Sequence, residues 1–266
     1  MSLLRWSKGA GRTRGIAHRK MKLLPENNDN EPPTEPDISI IIPVLHESAR
    51  INALVEGIRS MSNDRIAIEI IVVDGSPDAD TLAALIDPDV VRVRSRKGRA
   101  AQMNIGATVA RGKVMLFLHA DTRLPKNAFQ DILSALEDKH IVGGAFDLGI
   151  DSDLALFRIT EQYVRLRTRF SRVPFGDQAI FLRSEYFKTM QGYQDIPIME
   201  DVELMKRVRR NNDRIKIIPR RVMTSARRWE REGVVRALFR NWSLQILYMF
   251  GVRADRLAKY YRDEVV

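Results

Sequence analysis

Three apolar runs rich in β-branched residues constrain the fold of this chain most. They occupy residues 38–45, 66–73 and 113–118, and each stops at a polar residue. Short runs of this kind, without alternation of apolar and polar residues, are typical of strands buried on both faces. Helical spacing of apolar residues lies between them, in residues 47–61, 79–86 and 100–110. Strands that alternate with helices in this way predict an α/β fold with a mainly parallel sheet between helices.

The second half of the chain predicts a different order of elements. Residues 141–150, 178–182 and 215–218 read as strands, a long helix separates the first two, and a shorter helix begins at Met199. From residue 232 onward the pattern is helical and amphipathic. The predicted organisation is a basic tail with an acidic, proline-rich linker over 1–37, an α/β domain over 38–230, and a C-terminal helical extension over 231–266.

Composition excludes several classes of protein. The absence of cysteine rules out disulfides, thiolate zinc sites and a cysteine nucleophile. No apolar stretch reaches the roughly 18 residues of a membrane span, so we expect a cytoplasmic protein. The net charge is +10, with seven Lys/Arg and no acid in residues 1–22 and a further basic concentration after residue 203. Such charge is compatible with phosphorylated substrates, nucleic acid or an anionic membrane.

Polar residues at strand ends are the first candidates for chemistry, because ligands bind at the carboxyl ends of parallel strands. His46, Asp74 and Asp121 occupy such positions. Asp121 suits Mg²⁺ or Mn²⁺, which take oxygen ligands and bridge to substrate phosphates, and His119 could assist. Asp74 could accept hydrogen bonds from a base or a ribose. Either aspartate could instead be an ordinary turn residue.

Glu200 and Asp201 open a predicted helix, where the helix dipole favours acids. A carboxylate at that position could take a proton from an acceptor hydroxyl. Simple helix capping is the alternative, and the residues alone leave both interpretations open.

Five segments taken together resemble the successive motifs of the family 2 glycosyltransferases. They are residues 38–47 (ISIIIPVLHE), 72–76 (VVDGS), 98–104 (GRAAQMN), 117–121 (FLHAD) and 199–204 (MEDVEL). The resemblance covers roughly residues 38–230. It implies a GT-A type fold, with a Rossmann-like sheet, and inverting transfer of a sugar from a nucleoside-diphosphate donor, UDP first among them, to an acceptor hydroxyl.

The resemblance also implies roles for individual residues. Asp121 matches the last acid of the family's metal motif, and Asp201, beside Glu200, matches its catalytic base. The residues implied at the nucleotide are Pro43, His46, Glu47, Asp74, Arg99 and Asn104, with Asp74 meeting the base.

Two departures from the family pattern qualify these roles. His119 replaces the first acid of the metal motif, so binding of Mn²⁺ or Mg²⁺ rests on Asp121; histidine is more natural for Mn²⁺ than for Mg²⁺. Ser225 begins a segment, SARRW, that resembles the Gln-x-x-Arg-Trp motif of processive synthases without its glutamine. This argues against a chain-extruding synthase. Arg228 and Trp229, in that segment, could still shape the acceptor site, or Trp229 could simply pack.

Residues 175–183 (FGDQAIFLR) and 119–125 (HADTRLP) look like a soluble subgroup of these transferases associated with radical-SAM and selenium-related proteins, some linked to arsenosugar synthesis. That resemblance implies that Asp177 and Gln178 face the acceptor, which could be a small molecule or a lipid-linked one.

The long predicted helix carries arginines that share one face. They are Arg158, Arg165, Arg169 and Arg172. The face could be an ordinary solvated surface, or it could dock peripherally on an anionic membrane or a phosphorylated acceptor.

Rival functions find less support in the sequence. A nucleotidyltransferase would need a glycine-rich basic loop where residues 43–47 read PVLHE, and no Gly-x-Gly-x-x-Gly follows a strand as a dinucleotide enzyme requires. Nucleic-acid binding is supported by charge alone, so we expect no nucleic-acid partner. A catalytically weakened nucleotide-sugar-binding protein stays open because of His119.

Overall fold

The computed structural model describes residues 35–62 and 65–260 of the 266-residue chain. The predicted basic tail lies outside them, as does the linker up to residue 34. The strands within the described ranges are β1 Ile38–Val44, β2 Ile68–Asp74, β3 Val91–Arg94, β4 Val114–Phe117, β5 Thr122–Arg123, β6 Ile141–Asp151, β7 Phe181–Arg183 and β8 Arg214–Ser225. The helices are α1 Ile51–Arg59, α2 Asp80–Ala84, α3 Arg99–Val109, α4 Ala128–Ala135, α5 Ala155–Ser171, α6 Ser184–Thr189, α7 Glu200–Arg210, α8 Arg227–Glu232, α9 Val234–Met249 and α10 Ala254–Ala258.

The strands form one sheet in the order β3-β2-β1-β4-β7-β6-β8-β5. The first four are parallel to one another, β6 is parallel to β8, and β7 joins the two groups by pairing antiparallel with β4 and β6. Val44 pairs with Asp74, so the carboxyl ends of β1 and β2 lie level. The predicted α/β fold with a mainly parallel sheet is confirmed.

Two apolar clusters, one on each face of the sheet, form the core. Ile40 and Ile42 of β1 belong to one cluster and Ile41 to the other, as the two-residue period of a strand requires. All three are fully buried. Each such side chain contributes about 1.5–3 kcal/mol by its removal from water. The sheet that carries the strand ends is therefore a rigid platform.

Strand β8 extends well past the predicted strand at 215–218. Its pairing with β6 shifts register between Phe146 and Asp147, and this irregularity accommodates Pro219, which lacks the N–H that a regular ladder needs. Beyond the bulge the strand continues to Ser225. The bulge thus carries Thr224 and Ser225 to the same edge as the ends of β1 and β4.

The arginine face predicted on the long helix serves mainly to fasten α5 to the sheet. Arg165 and Arg169 both contact the buried carboxylate of Asp147, at 3.4 Å and 2.9 Å. Arg158 pairs with buried Glu161 at 3.0 Å, and Arg172 donates to a main-chain carbonyl of β8. These head groups are engaged by the protein itself, and docking of this face on an anionic membrane or a phosphorylated acceptor stays a prediction.

Over the described residues, no helix combines the length and the apolar character that a bilayer crossing requires.

Candidate active site

Two adjoining cavities open where β1, β4 and β8 end. The first cavity, of about 140 Å³, is lined by Asp177, Asp201 and Trp229, with side chains of α9. The second cavity, of about 190 Å³, is lined by Pro43 and Glu47 together with Arg50, which precedes α1, and two arginines of α8, Arg227 and Arg231. The residues that line both cavities are Arg99, His119, Asp121 and Ser225.

The structure brings Asp121 and Asp201 to one cavity, although 80 residues of sequence separate them. Asp121 follows β4 and is exposed; its Oδ1 accepts a long hydrogen bond of 3.4 Å from the Thr122 hydroxyl. Asp201 lies in the first turn of α7, where the positive end of the helix dipole stabilises a carboxylate. These positions follow from where the strand ends and where the helix begins.

Gly176 provides the space in which His119 and Asp201 approach each other. A Cβ atom at this glycine would lie 2.9 Å from His119 Nε2 and 3.2 Å from Asp201 Oδ2. The main-chain N–H of Gly176 donates to Asp201 Oδ2 at 2.5 Å, and the N–H of Val202 donates to Oδ1 at 2.7 Å. Both oxygens of Asp201 are therefore held in a fixed orientation.

Asp177 is a carboxylate in an unfavourable environment. Burial raises its pKa to about 6, against the attraction of Arg167, and the negative charges of Asp201 and Asp121 add to the rise. Its Oδ1 is buried and has no hydrogen-bond partner among the described residues. Three carboxylates thus concentrate negative charge in the first cavity, and one buried oxygen lacks a partner.

Glu200 is 2% exposed and holds Arg99 in place. Arg99 Nε lies 2.8 Å from Glu200 Oε1. Burial raises the pKa of Glu200, Arg99 opposes the rise, and Asp201 adds to it. Glu200 lines neither cavity. It positions the guanidinium that lies between them.

Gln178 was predicted to face the acceptor, and that prediction is wrong. Its side chain is fully buried. Its Oε1 accepts from Thr168 at 3.0 Å and from the N–H of Phe175 at 3.1 Å, and its Nε2 donates to the carbonyl of Phe146. The amide is used to hold the loop that presents Asp177.

Asp74 lies at the end of β2 as predicted, but it lines neither cavity. Its carboxylate is fully buried, and Oδ1 accepts from the N–H and hydroxyl of Ser76 at 2.8 Å and 2.7 Å. Its Oδ2 accepts from the N–H groups of Thr81 and Leu82 at the start of α2. Asp74 therefore caps that helix from a distance, which is the arrangement that the turn interpretation expects.

His46 and Asn104 point away from both cavities. His46 is exposed and its Nδ1 lies 3.2 Å from Asp80 Oδ1. Asn104 donates to the carbonyl of Tyr193 at 2.8 Å and accepts from the N–H of the same residue at 2.9 Å. Asn104 thus holds the loop before α7, and neither side chain lines these two cavities.

Trp229 lines the first cavity and also packs. Its ring lies 5.6 Å from that of Phe157, and its indole Nε1 is buried without a hydrogen-bond partner among the described residues. Arg228 belongs to α8, but its side chain lies outside the described part of the structure.

A separate group of potential metal ligands lies on the surface near α2. His46, Asp78 and Asp80 place their ligand atoms within 4.8 Å of one another, the one such group of three or more found in the described ranges. Asp121 and His119 do not belong to it.

Sequence reasoning missed several lining residues. Arg50 and Arg231 line the second cavity, and Asn241 and Gln245 of α9 line the first. Arg167 connects α9 to the loop at residue 176. Its guanidinium stacks 3.5 Å from the centre of the Phe175 ring and donates to Gln245 at 3.2 Å. Only the density of arginine after residue 225 could have indicated part of this set.

Comparison with solved structures finds the same fold in two glycosyltransferases. The chain is similar to the mannosyltransferase PcManGT from Pyrobaculum calidifontis in complex with GDP-Man and Mn²⁺ (TM-score 0.57, 19% identity, 71% of this chain and 56% of that chain). It is also similar to residues 1–349 of S. aureus TarS in complex with UDP-GlcNAc (TM-score 0.54, 14% identity, 71% and 58%). At these identities the likeness establishes the fold.

Sequence comparison gives the family. The uncharacterized protein MT1568 of Mycobacterium tuberculosis is 32% identical over 147 residues, which cover 53% of this chain and 44% of that protein. The match thus spans less than half of that relative's length. Residues 39–191, more than half of the chain, match the sequence profile of glycosyl transferase family 2. The protein therefore belongs to glycosyl transferase family 2.

Proposed function

We propose that this protein is an inverting glycosyltransferase that moves a sugar from a nucleoside-diphosphate sugar, with UDP as the nucleotide, to an acceptor hydroxyl. One observation carries the proposal: Asp121 and Asp201, from opposite halves of the chain, line a single cavity that also contains Arg99. This displacement needs three groups: a carboxylate that can bind a metal ion, a carboxylate that can accept a proton, and a cation.

The second cavity is the proposed donor site. Pro43 and Glu47 lie on its strand side, and Arg50, Arg227 and Arg231 supply positive charge. Guanidinium groups bind phosphate oxygens through pairs of N–H donors. Arg99, positioned by Glu200, lies where this cavity meets the first and would face the diphosphate. Asp74, His46 and Asn104 have no part in this proposal, because the structure commits their polar atoms elsewhere.

The residues of the first cavity fit a divalent cation. Asp121 offers an exposed carboxylate, His119 an imidazole, and Asp177 a buried oxygen without a hydrogen-bond partner among the described residues. Mn²⁺ accepts such mixed oxygen and nitrogen ligands, and Mg²⁺ accepts the carboxylates. We propose that Asp121 and His119 hold the ion. When bound, it would neutralise charge on the departing diphosphate.

Asp201 is the proposed catalytic base. Its two oxygens are oriented by the N–H groups of Gly176 and Val202, and it faces the cavity that Asp121 also lines. In the displacement, Asp201 takes the proton of the acceptor hydroxyl while that oxygen bonds to the anomeric carbon. The bond from that carbon to the diphosphate oxygen breaks, so the configuration inverts. Arg99 stabilises the negative charge that develops on the leaving group.

The acceptor is proposed to enter beside Trp229 and Asp177, between the loop at residue 176 and α9. An indole is a suitable surface for a sugar ring or an apolar group. Because α9 lines this cavity, we further propose that the C-terminal helices belong to the catalytic unit and are not an independent appendage. The resemblance of residues 175–183 to the subgroup linked to arsenosugar synthesis stays a prediction.

Donor binding and stereochemistry test the proposal together. A thermal-shift screen with UDP-, GDP- and dTDP-sugars, with and without Mn²⁺, should raise the melting temperature most for a UDP-sugar with Mn²⁺. Slow hydrolysis of that donor, followed by proton NMR, should release the sugar first as the opposite anomer. First release of the same anomer would exclude inversion. Stabilisation by nucleoside triphosphates alone, with release of pyrophosphate, would favour a nucleotidyltransferase.

A further inference from the structure

Helix α5 exposes an apolar stripe on the side that faces away from the sheet. Ile159, Tyr163, Leu166 and Phe170 follow one another at spacings of four, three and four, which places them on one helix face. They are 62%, 40%, 57% and 86% exposed. The opposite face, with Phe157 and Val164, already packs on the protein. Packing in the protein core therefore does not explain why the outward face of α5 is apolar.

Helix α9 exposes a second stripe with the same periodicity. Its exposed members are Val235, Phe239, Ile246 and Met249, continued by Phe250, and the half-buried Trp242 lies among them. Phe239 and Phe250 are 72% and 85% exposed. The two helices lie side by side, because the rings of Tyr163 and Trp242 are 5.1 Å apart and Arg167 donates to Gln245. We call the two joined stripes the α5–α9 surface.

Positive charge borders the α5–α9 surface, and exposed acids are missing from both helices. No acid occurs from residue 233 to residue 254, where Arg236 is exposed; Arg253 is exposed too, but it pairs with Asp255 at 2.8 Å. The one acid of α5, Glu161, is buried. Arg165 and Arg169 remain about two-fifths exposed beside Phe170. Isolated exposed apolar residues are ordinary, but a contiguous set with aromatic rings and a basic border marks a contact surface.

We propose that the α5–α9 surface docks on an anionic lipid membrane, with the aromatic rings inserted at the headgroup boundary. Interfacial helices combine an apolar face containing Phe, Leu and Trp with bordering Lys and Arg. The charge pattern favours lipid over a second copy of the chain. A two-fold dimer would bring this surface against itself and would face arginine with arginine, whereas anionic headgroups complement it.

The same helix joins this surface to the active site. The inner side of α9 supplies Asn241, Leu244 and Gln245 to the first cavity, while its outer side carries the stripe. Docking would therefore hold the acceptor side of the cavity at the membrane surface. We infer that the acceptor hydroxyl belongs to a lipid or a lipid-linked molecule; this second step rests on the proposed transferase function.

Vesicle flotation of the full chain tests the docking. The vesicles are phosphatidylcholine alone, or phosphatidylcholine with phosphatidylglycerol. The test variant combines Phe170→Ser, Phe239→Ser and Phe250→Ser, and the matched control is Ile86→Ser, which changes an 80% exposed apolar residue near α2. A second pair reverses charge: Arg236→Glu on the surface and Lys139→Glu on an exposed turn elsewhere. All variants keep the same N-terminal segment, so differences report the α5–α9 surface.

The wild-type chain should float with the anionic vesicles and much less with phosphatidylcholine alone. The triple variant should partition to the anionic vesicles roughly tenfold or more weakly than wild type, and Arg236→Glu should also reduce this partitioning. Both controls should behave as wild type. Equal flotation of the triple variant would overturn the proposal. The proposal would also be overturned if analytical ultracentrifugation showed a dimer for the wild-type chain and a monomer for the triple variant.

Donor binding is read out separately by thermal shift. The triple variant should keep the wild-type response to a UDP-sugar, because none of its three positions lines either cavity. Flotation without any donor response would count against the transferase function and leave the docking intact.

Discussion

Replacement of Asp177 by asparagine should stabilise the protein. The carboxyl is buried in the first cavity, close to the charges of Asp121 and Asp201, and its pKa rises from 3.8 to about 6. A rise of about two pH units corresponds to roughly 3 kcal/mol that the ionised form costs the folded state. Asparagine has nearly the same shape and carries no charge. It should therefore remove most of this cost at neutral pH.

The sign of the pH dependence follows from the direction of the shift. Because the pKa of Asp177 is higher in the folded than in the unfolded chain, the folded state holds its proton more tightly. Stability is lost as the pH rises from about 4 to about 6, and the whole cost applies above that range. The gain from Asp177→Asn should be about 1 kcal/mol larger at about pH 8 than at about pH 5.

Urea unfolding with a chelator present measures this gain. Asp153→Asn, at an exposed position, is the matched control and should change stability by less than about 0.5 kcal/mol at either pH. A variant at residue 177 that is less stable than wild type at about pH 8, or whose gain does not change with pH, would refute the reasoning.

Three further substitutions test other parts of the account. Asp201→Asn should keep nucleotide binding by calorimetry while lowering turnover by about a hundredfold or more, and near wild-type turnover would remove Asp201 as the base. Asp74→Asn should lower the free energy of unfolding in urea by about 1–3 kcal/mol, because amide hydrogens would face backbone donors. The folded variant should bind the nucleotide with unchanged affinity, and a loss of affinity would show that Asp74 contacts the nucleotide. Gly144→Ala should lower the free energy of unfolding by more than about 3 kcal/mol, since a Cβ there would lie 2.0 Å from the carbonyl oxygen of Lys216. The control Gly57→Ala, on α1, places a Cβ where nothing lies within 4 Å and should stabilise the protein by up to about 1 kcal/mol. Equal effects of the two substitutions would contradict the packing described.

The sequence predicted those features that local pattern determines. The apolar runs located β1, β2 and β4, and helical spacing located α1 and α3. Strand ends and a helix start then identified Asp121 and Asp201, and the structure places both at one cavity. Local pattern is enough for such positions because the end of a parallel strand and the first turn of a helix each fix where a side chain points.

Features that depend on residues far away along the chain could not be predicted from the sequence. Whether Asp74 faces a ligand or caps α2 depends on where Thr81 and Leu82 fold, and whether Gln178 faces the cavity depends on Thr168. The same polar residue at the same local position suits either outcome. Strand β8 was predicted too short because Pro219 reads as a terminator unless the bulge opposite β6 is known.

The contribution of α9 illustrates the same limit. Its amphipathic pattern has apolar residues on more than one side, and only the exposure of Phe239 and Ile246, against the burial of Leu244, shows which side faces outward. The cavity-lining Asn241 and Gln245 then follow from that orientation.

The central claim is that Asp121, with His119, holds the donor diphosphate through a divalent cation. Calorimetric titration of UDP in Mn²⁺ or in chelator, on wild type, Asp121→Asn and Asp78→Asn, tests it most directly, because Asp78 belongs to the separate surface group with His46 and Asp80. We predict Mn²⁺-dependent binding that Asp121→Asn weakens by about tenfold or more and that Asp78→Asn preserves. Binding that ignores Mn²⁺, or that survives Asp121→Asn and fails in Asp78→Asn, would contradict the account.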